Sequence, residues 1–267
     1  MMDDWTLAMD IRSLTEHTVA EAARAAGVTV PPRYVEVTGS TNSDLMALAA
    51  TGAPAWTVLV AGQQEAGRGR LGRTWESNPG QSLLVSVLLR PDVPAEKAPL
   101  LSLAAGVAMA RACEAACGVT VRCKWPNDVV VGDRKLGGIL AEASFTGGGV
   151  DHVVIGAGVN VRQHRDDLPD EIRDTATSVV IEGGLPDRMA LLAEYLGELR
   201  ARAERAEEAL PEYRALCQSL GRRVRAAVSS GRAIEGMAVD IGPTGELLIE
   251  TEVGTKSVGF GEIAHLD

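Results

Sequence analysis

The chain has 267 residues, enough for one large domain plus a small one, and a net charge of −10. That charge argues against a general nucleic-acid binder, whose affinity rests on neutralising phosphates. The N-terminus, Met1-Met2-Asp3-Asp4-Trp5, is acidic and lacks the apolar core of a signal peptide, so a cytoplasmic protein with no membrane partner is expected.

In chain order, Ile11 to Ala26 predicts an Ala-rich amphipathic helix closed by Gly27 and stopped by Pro31-Pro32. Tyr34 to Val37 predicts a short strand. It leads through Gly39-Ser40-Thr41-Asn42 into a helix beginning near Asp44. Ser40, Thr41 and Asn42 are all good helix caps, and they could equally leave spare hydroxyl and amide groups at a strand-to-helix turn. Trp56 to Ala61 and Leu83 to Leu89 predict strands, the second apolar throughout and so buried on both faces. The longest apolar run, Leu100 to Val119, is interrupted by Arg111 and Glu114. It belongs to a buried helix spanning Ala95 to Ala116, not to a membrane span.

Val119 to Trp125 predicts a strand broken by Pro126-Asn127-Asp128. A hairpin follows, with Val129 to Val131 and Lys135 to Ala143 as its arms and Gly132-Asp133-Arg134 as its turn. Gly147-Gly148-Gly149 is a flexible connection into a strand from Val150 to Val161, and Arg162 to Thr175 a charged, patternless loop. Pro186 to Ala209 predicts a helix with Glu/Arg pairs at helical spacing, continued after a break by Pro211 to Leu220. From Gly221 the character changes to short strands at Val224 to Val228, Ala233 to Ile241, Leu247 to Glu252 and Lys256 to Gly259. This predicts a small SH3-like β-barrel over residues 221–267. Cys113 and Cys117 would share a helix face, but no His or second close pair completes a metal set. All four cysteines are expected to be reduced core residues.

The most informative stretch is Gly67-Arg68-Gly69-Arg70-Leu71-Gly72-Arg73-Thr74-Trp75. Such a segment cannot bury itself, yet its backbone N–H groups and guanidinium forks can close over phosphate or carboxylate oxygens. In an acidic protein, this cationic island favours a small anionic ligand over a polyanion. Gly67, Gly69 and Gly72 spell the dinucleotide fingerprint G-x-G-x-x-G, which requires a helix directly after the glycines. Here Pro79-Gly80 marks a turn instead, and the next strand begins too soon for a crossover helix, which argues against a Rossmann site.

Ser40-Thr41-Asn42, Gln64 to Trp75, Lys124-Trp125-Pro126-Asn127-Asp128, Lys135-Leu136-Gly137-Gly138-Ile139-Leu140, Gly156 to Asn160 and Ala176-Thr177-Ser178-Val179 come in one order along the chain. In that order they resemble the bacterial biotin–protein ligase family. The resemblance implies an α+β fold: a mixed-sheet catalytic domain of the biotin/lipoate ligase type, residues 34–220, carrying the C-terminal barrel. It implies an enzyme that makes biotinyl-adenylate from biotin and ATP, with Mg2+ arriving on the nucleotide. The biotinyl group then passes to one lysine of a biotin carboxyl carrier protein. A lipoate ligase of similar fold and a non-catalytic interaction module are the alternatives.

The chemistry fits the residues, because a carboxylate must attack the α-phosphate of another anion and needs fixed positive charge there. On this resemblance Ser40, Thr41, Asn42, Gln64, Gly69 and Gly138 meet biotin, while Arg68, Arg70 and Lys135 meet both biotin and nucleotide. Trp75, Asn127 and Asn160 meet the nucleotide. Lys135, Arg68, Arg70 and Asp128 are the catalytic candidates, Asp128 either holding Lys135 or accepting a proton from the incoming amine. Metal ligands are not identified. Trp125 is either a pocket wall or a core residue. Many family members carry an N-terminal winged helix. The helical segment before Tyr34, residues 1–33, is too short for one, so no DNA partner is expected.

Overall fold

The computed structural model describes residues 14–147, 149–227, 233–259 and 261–266. Met1–Trp5, the start of the first expected helix at Ile11, Gly148 and Val228 lie outside them.

Seven strands form the main sheet: β1 (Arg33–Thr38), β2 (Val58–Gln64), β3 (Ser82–Leu89), β4 (Arg122–Lys124), β5 (Asp128–Val131), β6 (Arg134–Thr146) and β7 (Gly149–Asn160). Their order is β1-β2-β3-β7-β6-β5-β4, with β1 and β2 parallel and every other pair antiparallel. The helices are α1 (Glu16–Ala25), α2 (Thr41–Ala50), α3 (Ala98–Ala112), α4 (Arg188–Ala203) and α5 (Leu210–Leu216). Thr15 caps α1 with a reciprocal capping box to Thr18, so that this helix begins at Glu16. The strand expected over Val119 to Trp125 shrinks to β4, and the helix after Pro186 ends at Ala203, before a 3-10 turn at Ala206–Ala209.

Side chains alternate across the sheet and divide it into two unlike faces. Val58 and Val60, Leu83, Val85 and Val87, and Val153 and Ile155 face the main core, where α3 packs against α4. The continuous helical stretch Ala95–Cys117, of which α3 is the centre, has the length and composition of a membrane span, but 72% of its most apolar window is buried, as expected of a central core helix. On the opposite face Leu59, Leu88 and Val154 join Leu45 and Ala49 of α2 in a much smaller cluster. That thinly covered face carries the candidate site.

The C-terminal sheet adds β8 (Arg223–Ala227), β9 (Ala233–Ile241), β10 (Leu247–Thr251), β11 (Gly254–Val258) and β12 (Glu262–His265) in the order β11-β10-β9-β8-β12. All its pairs are antiparallel, as in an SH3-like unit. Strand β12 was not anticipated: four residues after a Gly-rich turn are too short for alternation to register. The indole Nε1 of Trp125 donates to Gly245 C=O at 2.9 Å, and its backbone N–H to Ser219 Oγ at 3.1 Å, so this buried residue ties β4 to the C-terminal unit.

Candidate functional site

Residues Gly67 to Trp75 form a miniature hairpin rather than a disordered loop. Trp75 N–H donates to Gly67 C=O at 2.9 Å and Gly69 N–H to Arg73 C=O at 2.7 Å, with Leu71 (φ 55°) and Gly72 (φ 76°) at the tip. A leucine in the left-handed region is strained, and Leu71 is also 73% exposed. The three arginines point to three different anchors. Arg68 pairs with Glu142 of β6, Arg70 Nη1 donates to Asn127 Oδ1 at 3.3 Å, and Arg73 pairs with Glu262 of β12. Burial lowers the Arg70 guanidinium below its ordinary range, while Glu262 and Asp128 oppose that shift.

Beneath this hairpin lies a cleft of about 450 Å³, with a second of about 560 Å³ beside it. Arg73, Thr74, Trp75 and Lys135 line both, so Trp75 and Lys135 mark the seam. Lys135 Nζ is 2.7 Å from Asp128 Oδ1 and 5.9 Å from the centroid of the Trp75 ring. Its backbone is fixed as well: Lys135 N–H donates to Thr175 C=O at 2.7 Å, and Thr177 N–H donates to Lys135 C=O at 2.8 Å. The expected loop from Arg162 to Thr175 is thereby joined to the site at its C-terminal end. Asp128 faces Gly138 across the β5–β6 ladder, so the lysine's partner is held by sheet register rather than by a loop.

The first cleft brings together Ser40, Thr41, Asn42, Gln64, Arg68, Gly69, Arg70, Asn127, Asp128, Lys135 and Gly138. Ser40 is the N-cap residue of α2, but its side chain makes no capping bond. Thr41 donates through N–H and hydroxyl to Gln64 Oε1, at 2.8 and 2.9 Å. Asn42 Nδ2 donates to Leu140 C=O at 3.1 Å and to Glu142 Oε2 at 2.9 Å. Ser86 Oγ, wholly buried on β3, lies 2.8 Å from Thr41 Oγ1 and 2.6 Å from Asn42 Oδ1. This polar network is buried, and Thr41, Asn42 and Gln64 also line the cleft, an arrangement that fixes donors and acceptors there. Gly156 and Gly158 floor it: a Cβ on Gly156 would collide with the Asn42 amide, and one on Gly158 would sit 2.7 Å from the Trp75 ring. The terminal unit contributes Arg225, Ala227, Glu262, Ile263 and Ala264 to the same cleft.

Asn160 lies apart from these residues, in the second cleft, with Ser77, Gln81 and Gln163. Trp75 Nε1, Ser77 Oγ, Gln81 Oε1 and Gln163 Oε1 are buried there without a hydrogen-bond partner among the described residues. Four unsatisfied polar atoms around one cavity are far above the native frequency and mark it as a place for a polar ligand.

Sequence reasoning missed Glu142, Ser86, Gln163 and Glu262. The lone serine inside Leu83–Leu89 was a legible signal, a hydroxyl in an otherwise apolar strand. The two glutamates carried none, because their meaning lies in an arginine far away along the chain.

Residues 34–160 match the biotin/lipoate A/B protein ligase family, and residues 219–266 match the biotin protein ligase C-terminal domain. The biotin–[acetyl-CoA-carboxylase] ligase of Mycobacterium tuberculosis is 37% identical over 268 residues, covering 97% of this chain and 96% of that one. The bifunctional ligase/repressor BirA of Bacillus spizizenii is 37% identical over 236 residues, covering 86% and 72%. Among solved structures, the biotin protein ligase of Aquifex aeolicus in complex with biotin and ATP superposes with a TM-score of 0.72 at 31% identity, covering 87% and 97%.

Proposed function

The chain belongs to the biotin/lipoate A/B protein ligase family as a biotin ligase, and from that premise we propose that it works in two steps at the seam between its clefts. In the first, a carboxylate oxygen of biotin attacks the α-phosphorus of ATP, pyrophosphate leaves, and biotinyl-adenylate forms. In the second, the amine of one lysine on a biotin carboxyl carrier protein attacks the acyl carbon, AMP leaves with the bonding pair, and the amine gives up a proton.

The observation that carries this reading is the position of Lys135. It lines both clefts, and it is held by Asp128 and by two backbone bonds where the two anions would meet. A point charge fixed there lowers the cost of bringing carboxylate and phosphate together. Arg68 and Arg70 line the first cleft from above, where they would neutralise the carboxylate and the phosphate. The network of Thr41, Asn42, Gln64 and Ser86 offers both donors and acceptors, as a cyclic urea requires. The second cleft would take the nucleotide, with Trp75 as its wall. The hairpin closes the product off from water, which would destroy a mixed anhydride.

The site residues fit magnesium as a companion of the nucleotide phosphates rather than as a resident ion. Among the described residues no three His, Cys, Asp or Glu side chains converge, and Asp128 and Glu142 are already paired with cations.

The test is incubation with biotin, ATP and a carrier domain, read by intact mass and peptide mapping. The expected result is one biotinyl group on one lysine, with AMP and pyrophosphate formed in equal amounts. Equal labelling with lipoate in competition, or pyrophosphate release without biotin, would overturn the assignment.

A further inference from the structure

The deep wall of the second cleft is a relay of side-chain amides whose orientation their neighbours dictate. Asn160 and Gln163 are 7% and 3% exposed. Asn160 Nδ2 donates to Thr177 C=O at 3.0 Å, so Asn160 Oδ1 points away and accepts from Gln163 Nε2 at 3.1 Å. Gln163 Nε2 also donates to Ser82 Oγ at 2.7 Å, which uses both of its hydrogens. A carbonyl can only accept, so Thr177 fixes the Asn160 amide and Asn160 in turn fixes that of Gln163. Reversing either would set oxygen against oxygen or nitrogen against nitrogen. The Gln163 backbone carbonyl is itself held by Ser178 Oγ at 2.6 Å.

Counting what remains, Asn160 keeps one N–H and one lone pair, while Gln163 Oε1 keeps both lone pairs and has no partner among the described residues. A buried acceptor left unpaired is unfavourable, and a ligand hydrogen would relieve it. Neither the loop chemistry nor Lys135 makes use of it.

We infer that Gln163 sets the nucleobase preference of this cleft. It fixes Asn160 so that a donor and an acceptor both face the base, and its Oε1 takes a hydrogen from the exocyclic amine of a 6-aminopurine. A 6-oxopurine would set oxygen against Oε1, and a purine bearing only hydrogen there would leave Oε1 unpaired. The inference rests on the nucleotide reading of the second cleft given above.

Pyrophosphate release in the presence of biotin tests it, with ATP, ITP and purine ribonucleoside triphosphate, which lacks the 6-amino group. The full-length protein is compared with Gln163→Leu and with the near-isosteric Gln163→Met, each checked for folding by thermal melting. The wild type is expected to favour ATP over the 6-unsubstituted nucleotide by about tenfold or more in kcat/KM, the scale of one hydrogen bond to a buried group. In the variants that ratio falls towards one, while the KM for biotin at saturating nucleotide stays put. A merely structural role would weaken all three nucleotides alike and keep the ratio, which overturns the inference. So does a wild type that uses the three nucleotides equally, a comparison that needs no variant to fold. A wild type that is silent with ATP and biotin overturns the ligase reading itself.

Discussion

At the scale of single residues, the roles proposed for Lys135 and Asp128 can be separated. Their 2.7 Å contact satisfies the aspartate, and the β5–β6 register holds it in place. Lys135→Ala is expected to slow adenylate formation by about 2–4 kcal/mol in barrier, the scale for one preorganised electrostatic group. Single-turnover release of pyrophosphate reports this step, and a near-normal rate in a folded variant excludes the role. Asp128→Asn separates the two readings the sequence left open. If Asp128 holds Lys135, adenylation slows; if it takes the amine's proton, adenylation is normal and only transfer to the carrier slows. The contact favours the first outcome. Arg68 and Arg70 stood out in the sequence as a cationic cluster in a glycine-rich stretch, whereas Thr41 read equally well as a helix cap and Lys135 was named only by the family resemblance. Glu142 was not legible, because a glutamate in a strand reads as a solvated face until Arg68 and Asn42 are found against it.

At the scale of elements, the Gly67–Trp75 hairpin holds its arginines on internal acceptors that a ligand's oxygens would replace. Its backbone bonds are local and its tip carries a strained leucine, so opening costs little beyond the three arginine contacts. Arg70→Gly removes a charged donor, worth roughly 1.5–3 kcal/mol, and adds freedom to the open state. Preformed adenylate is expected to leave about ten- to a hundredfold faster, with labelling of bystander albumin rising with pH as free lysines deprotonate. Unchanged retention in a folded, active variant would make Arg70 irrelevant to closure. Glu262 acts in the opposite sense: it is a carboxylate on Arg73, with Arg70 in its field, where phosphate oxygens would compete. The pair is half exposed, so Glu262→Gln is expected to change stability by less than about 1 kcal/mol. It should lower the KM for ATP a few-fold at low salt, an effect that added salt removes. A raised KM would instead mean that the bridge orients the hairpin productively.

At the scale of the molecule, sequence periodicity located the strands and helices because burial imposes it, and the family's motifs located one side of the cleft. What stayed hidden was the return of the chain: Glu262 meets Arg73 across 189 positions, through a strand too short to announce itself. The cysteines were read as core, and their burial has a consequence for the whole fold. Cys113, Cys117, Cys123 and Cys217 are all buried. Burial pushes all four thiols up, Cys117 to about 11. Tyr195 and Tyr213 rise for the same reason, and Tyr34 to about 12. The folded chain therefore keeps protons that the unfolded chain releases, the thiols from about pH 8.5 and the phenols from about pH 10. With raised native values, this stabilisation is whole below the unfolded thiol range and is lost as pH climbs towards the native values. The urea midpoint in reducing buffer should be flat from about pH 7 to 8, fall from about pH 9, and steepen beyond about pH 10 as the tyrosines join. Cys123→Ala should soften the first part of that fall while leaving the second, and thiol reagents should label the native protein only as fast as it opens. A midpoint that holds to about pH 10 would mean that the thiols already titrate in the folded protein, and that the core around α3 admits water.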